Sequence, residues 1–88
     1  QGYVFFPGGF GTFDELFEAL TLIQTQKIKR FPLVLYGVEY WTPLIAWLRN
    51  SVESAGMTTP GDLDLVHITD DIDEAVNIFI EAAANGYA

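Results

Sequence analysis

Cysteine is missing from this 88-residue chain, which excludes a disulfide framework and every thiolate metal site. Basic residues are scarce: four Lys and Arg stand against twelve Asp and Glu, for a formal net charge of −8. Without a basic stripe there is nothing to neutralise a run of phosphates, so a nucleic acid polymer is not expected as a partner. No apolar run approaches the ~20 residues that cross a bilayer, so no membrane association is expected. Histidine occurs once, as His67 inside an apolar stretch, where a packed side chain is the ordinary reading. No His/Asp/Glu spacing suggests a metal, and no Gly-x-Ser-x-Gly is available for a serine nucleophile. The cysteine-free composition fits a cytoplasmic protein.

Apolar residues, by contrast, make up 50% of the chain. That is enough for one small domain, which at this length buries only about 60–65% of its unfolded surface. Tyr3-Val4-Phe5-Phe6 is apolar without alternation, as in a strand covered on both faces. Phe13, Leu16, Phe17, Leu20 and Ile23 then recur at helical spacing and predict a helix from about Thr12 to Gln26. Thr12 and Glu15 read as its capping box. Lys27, Lys29 and Arg30, near or beyond its end, suit the helix dipole.

Leu33-Val34-Leu35-Tyr36 is a second strand, closed by Gly37. Val38 to Trp41 is expected as loop, with Thr42 as N-cap and Pro43 as the first residue of a second helix. Leu44, Ile45, Leu48, Val52 and Ala55 would be its buried stripe, and Gly56 its stop. A loop from Met57 to Asp64 precedes a third strand, Leu65 to Ile68. Thr69-Asp70-Asp71 caps a last helix with the stripe Ile72, Ala75, Val76, Phe79, Ile80 and Ala83, ending at Asn85-Gly86. Three βα units in series imply the α/β class with a Rossmann-like parallel sheet. Ligands of such sheets bind beyond the carboxyl ends of the strands. Pro7 to Glu15, Gly37 to Thr42 and Thr69 to Asp71 are therefore expected at one crevice.

The first of these junctions reads Pro7-Gly8-Gly9-Phe10-Gly11-Thr12-Phe13-Asp14-Glu15. Three glycines within four positions leave the backbone bare enough for a ligand to reach its N–H groups. The helix start adds unpaired N–H groups and a partial positive charge at the same spot. These are the elements of an anion site, most often for phosphate, with Gly8, Gly9, Phe10, Gly11 and Thr12 as its cradle. Neither Walker A nor Gly-x-Gly-x-x-Gly fits. Glu15 has two readings that the local sequence leaves open, a capping partner or a carboxylate acting on a ligand. Asp14 and Glu18 read as surface charges. Tyr40 and Trp41, beside the same crevice, suit either stacking on a base or packing over the next helix.

The stretch fits the pattern Pro-Gly-Gly-x-Gly-Thr-x-x-Glu and resembles the signature of the Lonely Guy family. These proteins are cytokinin riboside 5′-monophosphate phosphoribohydrolases and their bacterial relatives. The likeness continues through Asp14 to Thr21 and Gln24, through Tyr40-Trp41-x-Pro43-Leu44-Ile45-x-Trp47-Leu48, and through Val66-His67-Ile68-Thr69-Asp70-Asp71. It thus covers nearly the whole chain. The resemblance implies hydrolysis of the N-glycosidic bond of a nucleoside 5′-monophosphate, giving a free base and ribose 5-phosphate without a cofactor. Glu15 would be the catalytic carboxylate, and Gly8, Gly9, Phe10, Gly11 and Thr12 would hold the 5′-phosphate. A homodimer or larger homo-oligomer is implied as well.

The family pattern also carries an arginine upstream of the motif, a place that neither Arg30 nor Arg49 occupies. Residues 1–88 are therefore expected to be the C-terminal half of a single Rossmann-like nucleotide-binding domain, active only at full length. An alternative of another class is a non-catalytic nucleotide- or molybdenum-cofactor-binding carrier, because such carriers use similar glycine turns. A purely structural, dimer-forming half is a third. Relatives are sometimes labelled lysine decarboxylases. The only lysines, Lys27 and Lys29, stand at the far end of a helix, poorly placed for a Schiff base with pyridoxal phosphate.

Overall fold

The structure is a computed structural model that describes residues 2–24, 32–57 and 63–84. Strands β1 (Tyr3–Phe5), β2 (Leu33–Tyr36) and β3 (Val66–Thr69) alternate with helices α1 (Phe10–Gln24), α2 (Val38–Trp47) and α3 (Ile72–Ala84). The strands form one parallel sheet in the order β1-β2-β3. This is the α/β, Rossmann-like arrangement that the repeated βα pattern implies. The register sets Phe5 beside Leu35 and Leu35 beside Ile68, so all three strands end at the same edge.

Central β2 explains why the strands lack alternation. Successive side chains of a strand point to opposite faces. Leu33 and Leu35 join Leu16, Ala19 and Ile23 of α1 and Trp41 and Ile45 of α2 in one buried cluster. Val34 points the other way and is equally buried, beneath α3, which lies against β2 and β3. Each fully buried leucine of this core stabilises the fold by about 1.5–3 kcal/mol relative to an exposed one.

Several boundaries differ from the sequence expectation. α1 begins at Phe10, because the Phe13 N–H donates the first helical hydrogen bond to the Gly9 carbonyl at 3.2 Å. Gly9 is therefore the N-cap, Thr12 lies inside the first turn, and the Thr12–Glu15 capping box does not form. Glycine costs a helix only about 1 kcal/mol against alanine, less than the burial of Leu16 and its neighbours returns. β3 runs one residue later than expected. Val38 to Trp41 is helix rather than loop, so Thr42 is not a cap and Pro43 lies inside α2. The Asp70 carboxylate accepts the Val38 N–H at 2.7 Å, at a helix start that lies before the Thr42-Pro43 signal. Pro43 sits on the exposed side, where the Glu39 carbonyl that it leaves without an N–H partner can meet water.

Beyond Trp47 the helix widens into a π-helical segment, Leu48–Glu53. Of the expected stripe, Ile45 in α2 and Leu48 in the π-helical segment are buried, while Ala55 is exposed. Gly56 does stop the helix, with a left-handed φ of 79°. The stripe of α3 holds at Ala75 and Phe79 and departs from the expected one at its other positions. Ala75 and Ala82 are buried and Phe79 half-buried, whereas Ile72, Val76 and Ile80 are 53%, 49% and 59% exposed. Small alanines at the contact let the helix lie close to the sheet. Lys27, Lys29, Arg30, Asn85-Gly86 and most of the Met57–Asp64 stretch fall outside the described residues.

Candidate functional site

The three strand-to-helix junctions meet at one edge, as the topology requires. The Gly37 N–H donates to the Thr69 carbonyl at 2.9 Å, joining the second junction to the third. The Asp70–Val38 hydrogen bond joins them again. Tyr40 Oη donates to the Gly8 carbonyl, joining the second junction to the first. Gly37 has φ 118°, and a side chain there would meet the Pro7 ring at 3.2 Å. Conformation and crowding both require glycine at that position.

The glycines of the first junction divide into two kinds. A Cβ on Gly8 would strike the Thr12 hydroxyl, so Gly8 is needed for packing. Cβ atoms on Gly9 and Gly11 would meet nothing within 4 Å, and neither glycine has a positive φ. Folding alone therefore gives no reason for glycine at 9 and 11. What their bareness provides is an approach to the backbone. The N–H groups of Gly9, Phe10, Gly11 and Thr12 precede the first helical hydrogen bond, which Phe13 donates, and are the four that a helix start leaves without an intrahelical acceptor. Phe10 stands 93% exposed among them.

The other two helix starts at this edge are closed by the protein's own carboxylates. Asp70 accepts from Val38 at the start of α2. Asp71 accepts from Asp73 at 2.9 Å and Glu74 at 3.3 Å at the start of α3. Among the described residues, α1 has no such side-chain cap.

Glu15 is exposed on α1, three and four residues beyond Thr12 and Gly11. That spacing puts it on their face of the helix, one turn or ~5.4 Å along the axis. Asp14 and Glu18 instead border a shallow concavity with Phe17, Thr21 and Leu22, in keeping with surface roles. Trp41 is fully buried, and its indole N–H donates to the Tyr36 carbonyl at 3.2 Å. It packs rather than serving as a base platform. Tyr40 stays 42% exposed. Its ring stacks on Phe13 at 6.4 Å and meets the edge of Trp41 at 5.0 Å.

Residues outside this edge are otherwise engaged. Arg49 donates to the Leu63 carbonyl at 3.3 Å, some three turns from the start of α2. His67 is half-buried in β3 beside Val34. A cavity of about 350 Å³ lined by Phe17, Leu20, Trp47, Leu48 and Val52 contains none of the edge residues. Among the described residues, no group of His, Asp and Glu is placed to hold a metal. None of their helices is long and apolar enough to cross a membrane. Asp70 was expected at this edge, but its contact with the start of α2 was not. Its position after a strand was a signal, but that signal pointed to the helix following it, not to α2.

Fold and edge together define an α/β protein of Rossmann-like type, with a glycine-rich helix start at the carboxyl edge of a parallel sheet. The model of the family described as "Possible lysine decarboxylase" matches residues 1–79, and the chain belongs to this family, the Lonely Guy family of the motif. It is also 30% identical over 76 residues to a cytokinin riboside 5′-monophosphate phosphoribohydrolase from Rhodococcoides fascians. The match covers 86% of this chain and 38% of that protein, so the chain spans well under half the length of the relative.

Proposed function

We propose that the protein containing this chain hydrolyses the N-glycosidic bond of a nucleoside 5′-monophosphate. The observation that carries the reading is the open start of α1, with Glu15 one turn further on the same face. The amides of Gly9, Phe10, Gly11 and Thr12 would hold the 5′-phosphate, with Gly8 closing the turn behind them. The acidic balance of the chain opposes an anion, so this local array of dipoles has to supply the attraction. With the phosphate fixed there, the ribose lies along the first turns of α1, within the span that Glu15 covers.

The reaction adds water to C1′ and breaks the bond from C1′ to the base nitrogen. The bonding pair leaves with the base, which takes up a proton, and ribose 5-phosphate remains. Positive charge develops on the ribose as the bond lengthens, as in glycosidases generally. The Glu15 carboxylate would stabilise that charge or orient the water. Binding energy from the remote phosphate is then available to align the reacting bond. The absence of a capping box supports this role, because Glu15 is not engaged in holding the helix start.

The same reading makes residues 1–88 the C-terminal half of a single Rossmann-like domain. The coverage of the relative and the half-exposed Val4 on edge strand β1 support it. The arginine of the family pattern would then come from the other half, since Arg49 is engaged with Leu63.

The test is base release from a panel of nucleoside 5′-monophosphates by the intact protein. Glu15→Gln should lower turnover by roughly a hundredfold or more, the scale of one preorganised electrostatic group. Its stability should stay within about 0.5 kcal/mol, as for other surface changes. Glu18→Gln is the control and should leave both unchanged. Unaltered turnover per folded Glu15→Gln molecule would remove the hydrolase assignment's main residue.

A further inference from the structure

We infer that Tyr40 is a positioning residue for anion binding: its hydroxyl fixes the orientation of the Gly8–Gly9 peptide so that the Gly9 N–H faces the ligand. This rests on the phosphate role given above to the glycine turn. The Gly8–Gly9 peptide is trans, like the other peptide bonds of the described residues. In a trans peptide the C=O and N–H point in opposite directions. A donor that holds the Gly8 oxygen therefore also sets the direction of the Gly9 N–H. Tyr40 Oη is that donor, so the N–H is turned away from α2. On Gly9 a side chain would meet nothing within 4 Å, so the backbone next to that N–H is uncrowded on the side a Cβ would take.

The anchor is needed because a peptide between two glycines has no Cβ on either side to oppose rotation. Tyr40 in turn is held from two directions. Its ring stacks on Phe13 of α1. It also lies in the first turn of α2, whose leading N–H is fixed by Asp70 from the third junction. The three junctions thus act in series on one amide.

Tyr40→Phe removes the hydroxyl and keeps the ring, so it isolates this function. In the intact protein, inorganic phosphate, a nucleoside 5′-monophosphate and the matching phosphate-free nucleoside are titrated by calorimetry. The Gly9 amide is followed by nitrogen–proton correlation spectroscopy. The expected result is about tenfold weaker binding of phosphate and of the monophosphate, the scale of one hydrogen bond. Nucleoside affinity and melting temperature should be unchanged, and the Gly9 amide signal should shift or broaden as the peptide samples both orientations.

Phosphate affinity equal to the parent's, with an unmoved Gly9 signal, overturns the inference while leaving the phosphate site standing. An equal loss for nucleoside and monophosphate also overturns it, because the effect is then one of packing. A parent protein that binds no inorganic phosphate overturns the inference and the phosphate reading together. If Tyr40→Phe melts early, Phe13→Leu separates the causes: it loosens the stack but keeps the hydroxyl, and should weaken phosphate less than Tyr40→Phe does.

Discussion

Three helices start at one edge of this sheet, and they start differently. α2 and α3 each begin under an aspartate of the chain itself, Asp70 and Asp71. α1 begins with Gly9, which has no side chain to offer, and among the described residues no carboxylate reaches its first amides. All helix starts carry the same orphan N–H groups and the same partial positive charge. Two of these three have one or two of those groups accepted by an aspartate, and the third is where the bare glycines lie. The comparison separates a helix start that serves the fold from one suited to a ligand. It also assigns the glycines: Gly8 and Gly37 are required by packing or conformation, Gly9 and Gly11 by neither.

The sharpest way to break the contrast is to make α1 resemble its neighbours. Gly9→Asp supplies the N-cap carboxylate that α1 lacks. The fold should be unharmed or stabilised by a few tenths of a kcal/mol, since aspartate caps slightly better than glycine. Nucleoside monophosphate affinity should fall at least tenfold, with the new carboxylate occupying the amides and repelling the phosphate. Calorimetric titration beside chemical denaturation reads both quantities. Unchanged affinity would mean that the start of α1 is not the phosphate site.

Gly8→Ala tests the division among the glycines. Its methyl group must displace the Thr12 hydroxyl, and such overpacking costs typically 1–3 kcal/mol. Urea denaturation should register that loss, whereas a Gly8→Ala protein as stable as the parent would make Gly8 equivalent to Gly9. The smallest effect is expected at α3. Asp71→Ala removes a cap worth about 1 kcal/mol and should leave phosphate binding as it was. Weaker phosphate binding in that variant would mean that the capped helix starts are not independent of the open one.

The apolar runs and the helical spacing of Leu16, Leu20 and Ile23 made the βα order and the common edge of the junctions legible. The glycine turn at the head of α1 was legible as well, because a motif of fixed spacing is local information. Less legible were the helix boundaries. Thr42-Pro43 is a strong start signal, yet α2 begins at Val38 because Asp70, 32 residues further along the chain, arrives to accept its N–H. The Thr12–Glu15 capping box is an equally good local pattern, and it fails because the core fixes α1 with Gly9 at its head. In α3, Ala75 and Phe79 are covered as the spacing implies, but Ala82 is buried where Ile72, Val76 and Ile80 stay exposed, because which flank of the stripe is covered depends on what lies underneath.

The sequence by itself determined the class of fold, the family and the residues that meet at the sheet edge, because strand and helix periodicities and a fixed-spacing motif are properties of neighbours in the chain. Tertiary structure alone decided which helix starts are closed and which stays open. It also decided which glycines the fold needs and that Tyr40 reaches the Gly8 carbonyl. Those outcomes depend on hydrogen bonds and contacts between residues some thirty positions apart, for which no local pattern carries the information.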